Sequence, residues 1–255
     1  MPQTSSPFPW RTANDADFDI TGRRTPQGDY RSVIWGNRGT FLYSYPPEAY
    51  GKTELISPWG FPAVLSRWNY AGAEGKPLEL VVFSGAEEVE VLVNGQSIGR
   101  ETVGRERPLP CSVRFETAYA PGTVEAISYT DGQEVSRAVL KTPGPAAQIR
   151  LLPEKTTVKA DGHDLIYVGI EIVDQNGVVC PDAAVPLTAE VSGAVALAGF
   201  GSGNPVTDED YTDHCTVTFH GRAMAILRAG YEKGKIGLKV SGEGLPETET
   251  VLTAE

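Results

Sequence analysis

Four acidic residues crowd one short stretch: Asp208, Glu209, Asp210 and Asp213. Carboxylates at that density have the right chemistry for a Ca²⁺ ion. Their spacing does not follow the alternating ligand positions of an EF-hand loop, and an exposed acidic loop is the better account of them. Gly199-Phe200-Gly201-Ser202-Gly203 resembles a phosphate-binding loop in composition. No Lys-Ser/Thr pair and no helical pattern follows it, so it reads as a glycine-rich bend between strands. It is not a nucleophile elbow either, because Phe200 stands where that motif needs its first glycine. His163, His214 and His220 form neither an HxH nor an HExxH pattern. Glu87, Glu88 and Glu90 offer carboxylates, but hydrolysis of a glycoside needs two that face each other across the bond. On one hairpin they read as a solvated face. Trp59 and Trp68 have the flat rings that stack on pyranoses, with an interdomain packing cluster as the simpler account. The residues therefore provide no complete active site, no metal-ligand set and no cofactor motif.

The elements that would position these residues are strands. Leu80 and Val82 alternate with Val81 and Phe83, as in a strand buried on both faces. The turn Ser84-Gly85-Ala86-Glu87 leads to Val89, Val91 and Val93, which share one face of a second strand. Asn94-Gly95 suits a type I′ turn, whose two positive φ values match the twist of paired strands. This stretch predicts a β-meander. Ser112–Phe115, Gly122–Tyr129 and Glu134–Leu140 continue it, with Asp131-Gly132 as a further hairpin turn, and Thr142-Pro143-Gly144-Pro145 reads as a boundary. Beyond it, Ile166, Val168, Ile170 and Ile172 alternate cleanly, and further strands are expected at 187–191, 217–219, 223–227, 236–240 and 251–252. Strands at this spacing suit immunoglobulin-like sandwiches.

The N-terminal part reads differently. Thr25 can cap a helix that has Pro26 at its first position and stops at Gly36. Tyr30, Val33, Ile34 and Trp35 would form its apolar face. One short helix does not stabilise itself, so it needs a partner, and a domain outside this chain is one option. Residues 41–77, rich in aromatics and proline, read as a linker wrapped onto a domain surface. The expected organisation is a tail and linker over 1–50, a first sandwich over 51–143 and a second over 144–255.

At 255 residues the chain is long enough for two such domains. Its net charge of −11 disfavours nucleic acid and anionic membranes as partners. No apolar run reaches the ~18 residues of a membrane span. No basic and apolar leader is read at the start, which for a fragment leaves export of the parent open. Cys111, Cys180 and Cys215 make an odd set without a CxxC pair. They read as small buried thiols in a reducing compartment, with a Cys180–Cys215 bridge left open. Bacterial cytoplasm is favoured over periplasm on that ground alone.

Several strings carry a family resemblance. They are Phe8-Pro9-Trp10, Asp17-Phe18-Asp19-Ile20-Thr21-Gly22, Pro26-Gln27, Tyr30-Arg31, Ile34-Trp35-Gly36, Trp68-Asn69-Tyr70 and Glu74-Gly75-Lys76-Pro77. The most specific is Glu88-Val89-Glu90-Val91-Leu92-Val93-Asn94-Gly95-Gln96-Ser97-Ile98-Gly99. In the second half the matching strings are Ala160-Asp161-Gly162, Val173-Asp174, Gly199 to Pro205 and Phe219-His220-Gly221-Arg222-Ala223. Together they resemble the region after the catalytic barrel in glycoside hydrolase family 2, the β-galactosidase and β-glucuronidase family.

The resemblance implies an all-β fold: two immunoglobulin-like sandwiches preceded by a short helical remnant of a (β/α)8 barrel. It implies a parent that hydrolyses terminal β-galactosides with retention, with β-glucuronides and β-mannosides sharing the same architecture. The acid/base and nucleophile glutamates of that family lie on barrel strands that would precede Met1, so no residue here takes either role, and the chain alone is expected to be inactive. Trp10 matches the loop after the last barrel strand and is the one substrate-site candidate. The implied partners are the missing catalytic barrel of the same polypeptide and the carbohydrate substrate, and homo-oligomerisation is left open. The alternative is a stand-alone carbohydrate-binding or adhesin-like module. A third reading is a purely structural spacer. The helix at 26–35 argues against both, since an independent module has no need of an apolar helix with no partner of its own.

Overall fold

The computed structural model describes residues 8–11, 16–56, 60–104 and 109–255. The chain divides into two compact units, separating between Thr142 and Pro143. Residues 16–19 belong with the first unit, and residues 8–11 and 20–23 with the second.

The first unit contains helix α1 (Pro26–Ile34) and strands β1 (Thr40–Ser44), β2 (Pro77–Ser84), β3 (Glu88–Val93), β4 (Gln96–Thr102), β5 (Ser112–Ala118), β6 (Thr123–Thr130) and β7 (Gln133–Lys141). One antiparallel sheet runs β1-β2-β5 and the other β4-β3-β6-β7. Leu80, Val82, Val113 and Phe115 pack against Val89, Val91, Val124 and Ala126 between them. Asn94 and Gly95 take φ values of 50° and 80°, and Asp131 and Gly132 take 51° and 73°. These are the left-handed conformations that the two hairpin turns require.

Two expectations change here. The β-meander breaks at Ser84. Strand β2 pairs with β1 and β5, whereas β3 pairs with β4 and β6, so residues 84–87 cross between sheets instead of closing a hairpin. The crossing is held by buried hydroxyls, with Ser84 Oγ 2.8 Å from Ser128 Oγ and Thr40 Oγ1 2.6 Å from the same Ser128 oxygen. The predicted linker also contains a strand. In β1, Leu42 joins the core between the sheets while Tyr43 faces the other way, against Phe83 at 5.5 Å. The aromatic residues of this stretch are thus the two faces of a strand.

Helix α1 begins as predicted: the Thr25 side chain accepts a hydrogen bond from the Gly28 N–H at 3.2 Å. Its partner, however, lies inside the unit. Tyr30 packs edge-on against Phe83 at 5.2 Å and beside Phe61 at 5.5 Å, and Val33 is buried in the same cluster with Val64 and Val81. This explains why β2 is apolar on both faces. Ile34 and Trp35, expected in the buried stripe, are 44 % and 83 % exposed. Because the helix has a partner of its own, it no longer argues against an independent module.

Gly28 lies against the backbone of residue 17: a Cβ there would fall on the Asp17 carbonyl oxygen, which also accepts the Thr25 N–H at 3.0 Å. Gly→Ala inside a helix ordinarily stabilises by roughly 0.5–1 kcal/mol. Here the sign should reverse. Gly28→Ala is expected to destabilise the first unit by about 2 kcal/mol, as overpacking does. A urea titration that shows stabilisation would refute this packing.

The second unit holds β8 (Gln148–Pro153), β9 (Thr157–Val158), β10 (Leu165–Val173), β11 (Pro186–Ser192), β12 (Val195–Gly201), β13 (Cys215–Val217), β14 (Arg222–Ala229), β15 (Gly234–Gly242) and β16 (Leu245–Ala254). One sheet runs β12-β14-β10-β8 and the other β13-β11-β15-β16-β9, with β9 joining parallel to β16. Ile166, Val168, Ile170, Ile172, Leu227, Leu238 and Val240 form its core. The chain thus folds as an all-β pair of sandwiches. Among the described residues no helix is long and apolar enough to cross a membrane.

The three cysteines are free thiols, which leaves no Cys180–Cys215 bridge. Only Cys180 is buried; Cys111 is half-buried and Cys215 exposed, against the expectation of three buried thiols. Cys215 opens the short strand β13 at the edge of its sheet.

Candidate functional site

Trp10 is held by the second unit. It forms an antiparallel bridge with Val206, flanked by Arg11 N–H to Pro205 O at 2.7 Å and Thr207 N–H to Pro9 O at 3.1 Å. The guanidinium of Arg11 extends the attachment, donating from Nε to Thr207 O at 2.8 Å and from Nη2 to Glu209 O at 3.2 Å. The same cation lies 5.8 Å from the Tyr211 ring centre and 5.9 Å from that of Phe8, within range of cation–π attraction. Trp10 is half-buried and Phe8 is 74 % exposed.

The loop that receives this segment follows from its sequence. Gly201 leaves room for the Tyr211 ring, since a Cβ there would sit 2.6 Å from a ring carbon. Glu209 ties the loop to β13 by accepting from the Val217 N–H at 2.8 Å and the Thr216 hydroxyl at 3.0 Å. Asp210 accepts from the Thr212 N–H and hydroxyl at 2.9 and 2.8 Å, which lowers its carboxyl pKa. These carboxylates fold the loop and do not converge on one point; among the described residues no group of three His, Cys, Asp or Glu side chains could hold a metal ion. Burial raises the Tyr211 pKa, and its hydroxyl, closed to water, has no hydrogen-bond partner among the described residues. Gly199 to Gly201 are therefore not the predicted bend but the paired end of β12, where Gly201 seats an aromatic ring.

The other candidates are structural. Glu88 pairs with Arg100 at 2.6 Å, Glu90 accepts from the Tyr129 hydroxyl at 3.1 Å, and Glu87 accepts the Asp131 N–H at 2.9 Å. Each is held by a cross-strand neighbour. His163, His214 and His220 are exposed and lie in separate loops. Trp68 is neither a sugar platform nor an interdomain contact. It is fully buried inside the first unit, edge-on to Tyr119 at 5.0 Å, with its Nε1–H donated to Ala120 O at 3.0 Å. Trp59 lies outside the described residues.

One charged cluster was not anticipated. Glu171 on β10 is buried and accepts from Arg150 at 2.5 and 3.2 Å and from Arg222 at 3.1 Å, with Arg23 at 3.5 Å. Burial pushes its carboxyl upward, but hydrogen bonds from Arg150 and Arg222 outweigh this and leave it below the ordinary value. The available signal was a lone acid in an otherwise apolar strand, since a carboxylate there must be paired. Arg11 left no comparable mark, because its partners are backbone carbonyls.

The fold and this geometry define a tandem β-sandwich region in which a pre-sandwich segment carrying Trp10 is strapped to the second sandwich. The glycoside hydrolase family 2 C-terminal domain 5 matches residues 149–251, and a domain of unknown function, DUF4982, matches residues 75–136. The chain is 31 % identical over 247 residues to the β-galactosidase BoGH2A of Bacteroides ovatus, covering 93 % of this chain and 28 % of that protein. It is 28 % identical over 218 residues to a β-galactosidase of Thermoanaerobacter pseudethanolicus, covering 80 % of this chain and 26 % of the other. A crystal structure of a glycosyl hydrolase family 2 member from Bacteroides cellulosilyticus superposes with a TM-score of 0.87 at 30 % identity, covering 97 % of this chain and 32 % of that one. The chain belongs to glycoside hydrolase family 2, as a C-terminal region, and spans roughly a quarter to a third of the relatives it matches.

Proposed function

We propose that this chain is the non-catalytic accessory region of a retaining β-galactosidase, whose catalytic barrel and two glutamates lie in the remainder of a longer polypeptide. The observation that carries the proposal is the match of 93 % of the chain to 28 % of a β-galactosidase. Two further observations support it. The carboxylates considered as candidates are engaged locally, Glu88 across the β3–β4 hairpin, Glu90 and Glu87 against β6 and the turn that follows it, Glu209 on β13 and Asp210 within its loop, so none of these provides the facing pair that hydrolysis needs. Trp10, the one residue assigned to the sugar site, stands half-buried on a fixed bridge. On this reading the sandwiches brace the barrel and shape the approach to its sugar site.

The expected result is turnover of a nitrophenyl β-galactoside by the longer polypeptide and none by the 255-residue chain. Turnover by the chain alone would sink the accessory role. A longer polypeptide that cleaves only the glucuronide would keep the family and overturn the galactoside.

A further inference from the structure

We infer that Arg11 is a positioning residue: it fixes Trp10 at the sugar site by tying the Trp10 segment to the 205–211 loop, so that the second sandwich bears on the sugar site of the longer polypeptide. This rests on the galactosidase reading and goes beyond it by assigning a task to the C-terminal domain.

The segment has few ways to hold a fixed place on its own. Among the described residues, 8–11 are attached by an isolated bridge, with two backbone hydrogen bonds flanking Trp10. A bridge of that length is marginal without side-chain support. The support is Arg11, whose planar fork spans two carbonyls, Thr207 O and Glu209 O, one on each side of Asp208. These acceptors are immobilised in turn. Glu209 is fastened to β13 through its carboxylate, and Tyr211, beneath the guanidinium, is seated on Gly201 at the end of β12. A continuous set of contacts therefore runs from two strands of the second sandwich to the residue next to Trp10. Loss of the Arg11 side chain would leave Trp10 on its backbone bridge alone.

Two measurements test this together. In the 255-residue chain, Arg11→Ala should raise hydrogen exchange at the Thr207 amide, which donates to Pro9 O, while β10 and β14 stay protected. In the longer polypeptide, Arg11→Ala should lower kcat/KM for the nitrophenyl galactoside on the order of tenfold or more, as small misplacements of substrate-contacting groups do. Arg11→Lys keeps the charge but loses the fork and should restore only part of the activity. The decisive variant is Trp10→Ala with and without Arg11→Ala. If Arg11 acts through Trp10, the double variant should be no worse than Trp10→Ala alone. Unchanged exchange at Thr207, wild-type kcat/KM in Arg11→Ala, or additive losses would each overturn the inference. An inactive wild-type longer polypeptide would instead remove the galactosidase reading and this inference with it, and the exchange result would still show whether Arg11 ties the segment down.

Discussion

Replacing Trp68 with alanine is expected to destabilise the first sandwich by about 4 kcal/mol, the range seen when a large buried aromatic is truncated. Three contributions converge at this position. The indole is fully enclosed by the core between the two sheets, so its removal leaves a void that Leu78, Leu80 and Val124 can fill only by moving strands. Its edge-on contact with Tyr119 extends to Tyr70, 5.6 Å from Tyr119, so the loss reaches a second ring. Its Nε1–H serves Ala120 O, a carbonyl left unpaired by the substitution. Trp68→Phe separates these contributions. It keeps the ring contact and loses the hydrogen bond, so it should cost about 1–2 kcal/mol. Guanidinium denaturation followed by near-ultraviolet circular dichroism measures both. A loss below about 1 kcal/mol for alanine would mean that the site is not the enclosed core position described here.

Glu171→Ala should cost the second sandwich about 3 kcal/mol, the low end for removing one partner from a buried charge cluster, because the arginines keep some contact with water. The carboxylate draws Arg150 from β8, Arg222 from β14 and Arg23 from the pre-sandwich segment to one point. Without it, three guanidinium groups face one another. Glu171→Gln keeps the shape and removes the charge, which gives the pH test its direction. The carboxyl of Glu171 lies below its unfolded value in the folded protein. Its contribution is therefore complete above the unfolded carboxylate pKa, about 4.3, and is lost as pH falls through the folded value. The stability difference between wild type and Glu171→Gln should be constant near neutrality and shrink below about pH 4. A difference that instead grew on acidification would show that Glu171 is not held as the carboxylate.

What depends on neighbours along the chain was legible before any fold was known. The turns at Asn94-Gly95 and Asp131-Gly132 require left-handed backbone at two successive residues. The Thr25–Pro26 helix start needs only a side chain three residues from an open N–H. The alternation from Ile166 to Ile172 follows from a period of two. Family membership was legible for the same reason, as strings such as Glu88 to Gly99 are contiguous. Tertiary structure alone decided which strand pairs with which. Strands β2 and β3 are separated by one turn yet lie in different sheets, because β2 buries both faces and finds its edges in β1 and β5. It also decided that the aromatic stretch at 41–45 is a strand, that α1 covers β2, and that Trp68 is core. The candidate site was the least legible part. Trp10 could be named from a motif, but Arg11 lies nearly two hundred residues from Thr207 and Glu209 and meets them through backbone oxygens, which every residue possesses and no side-chain pattern reveals.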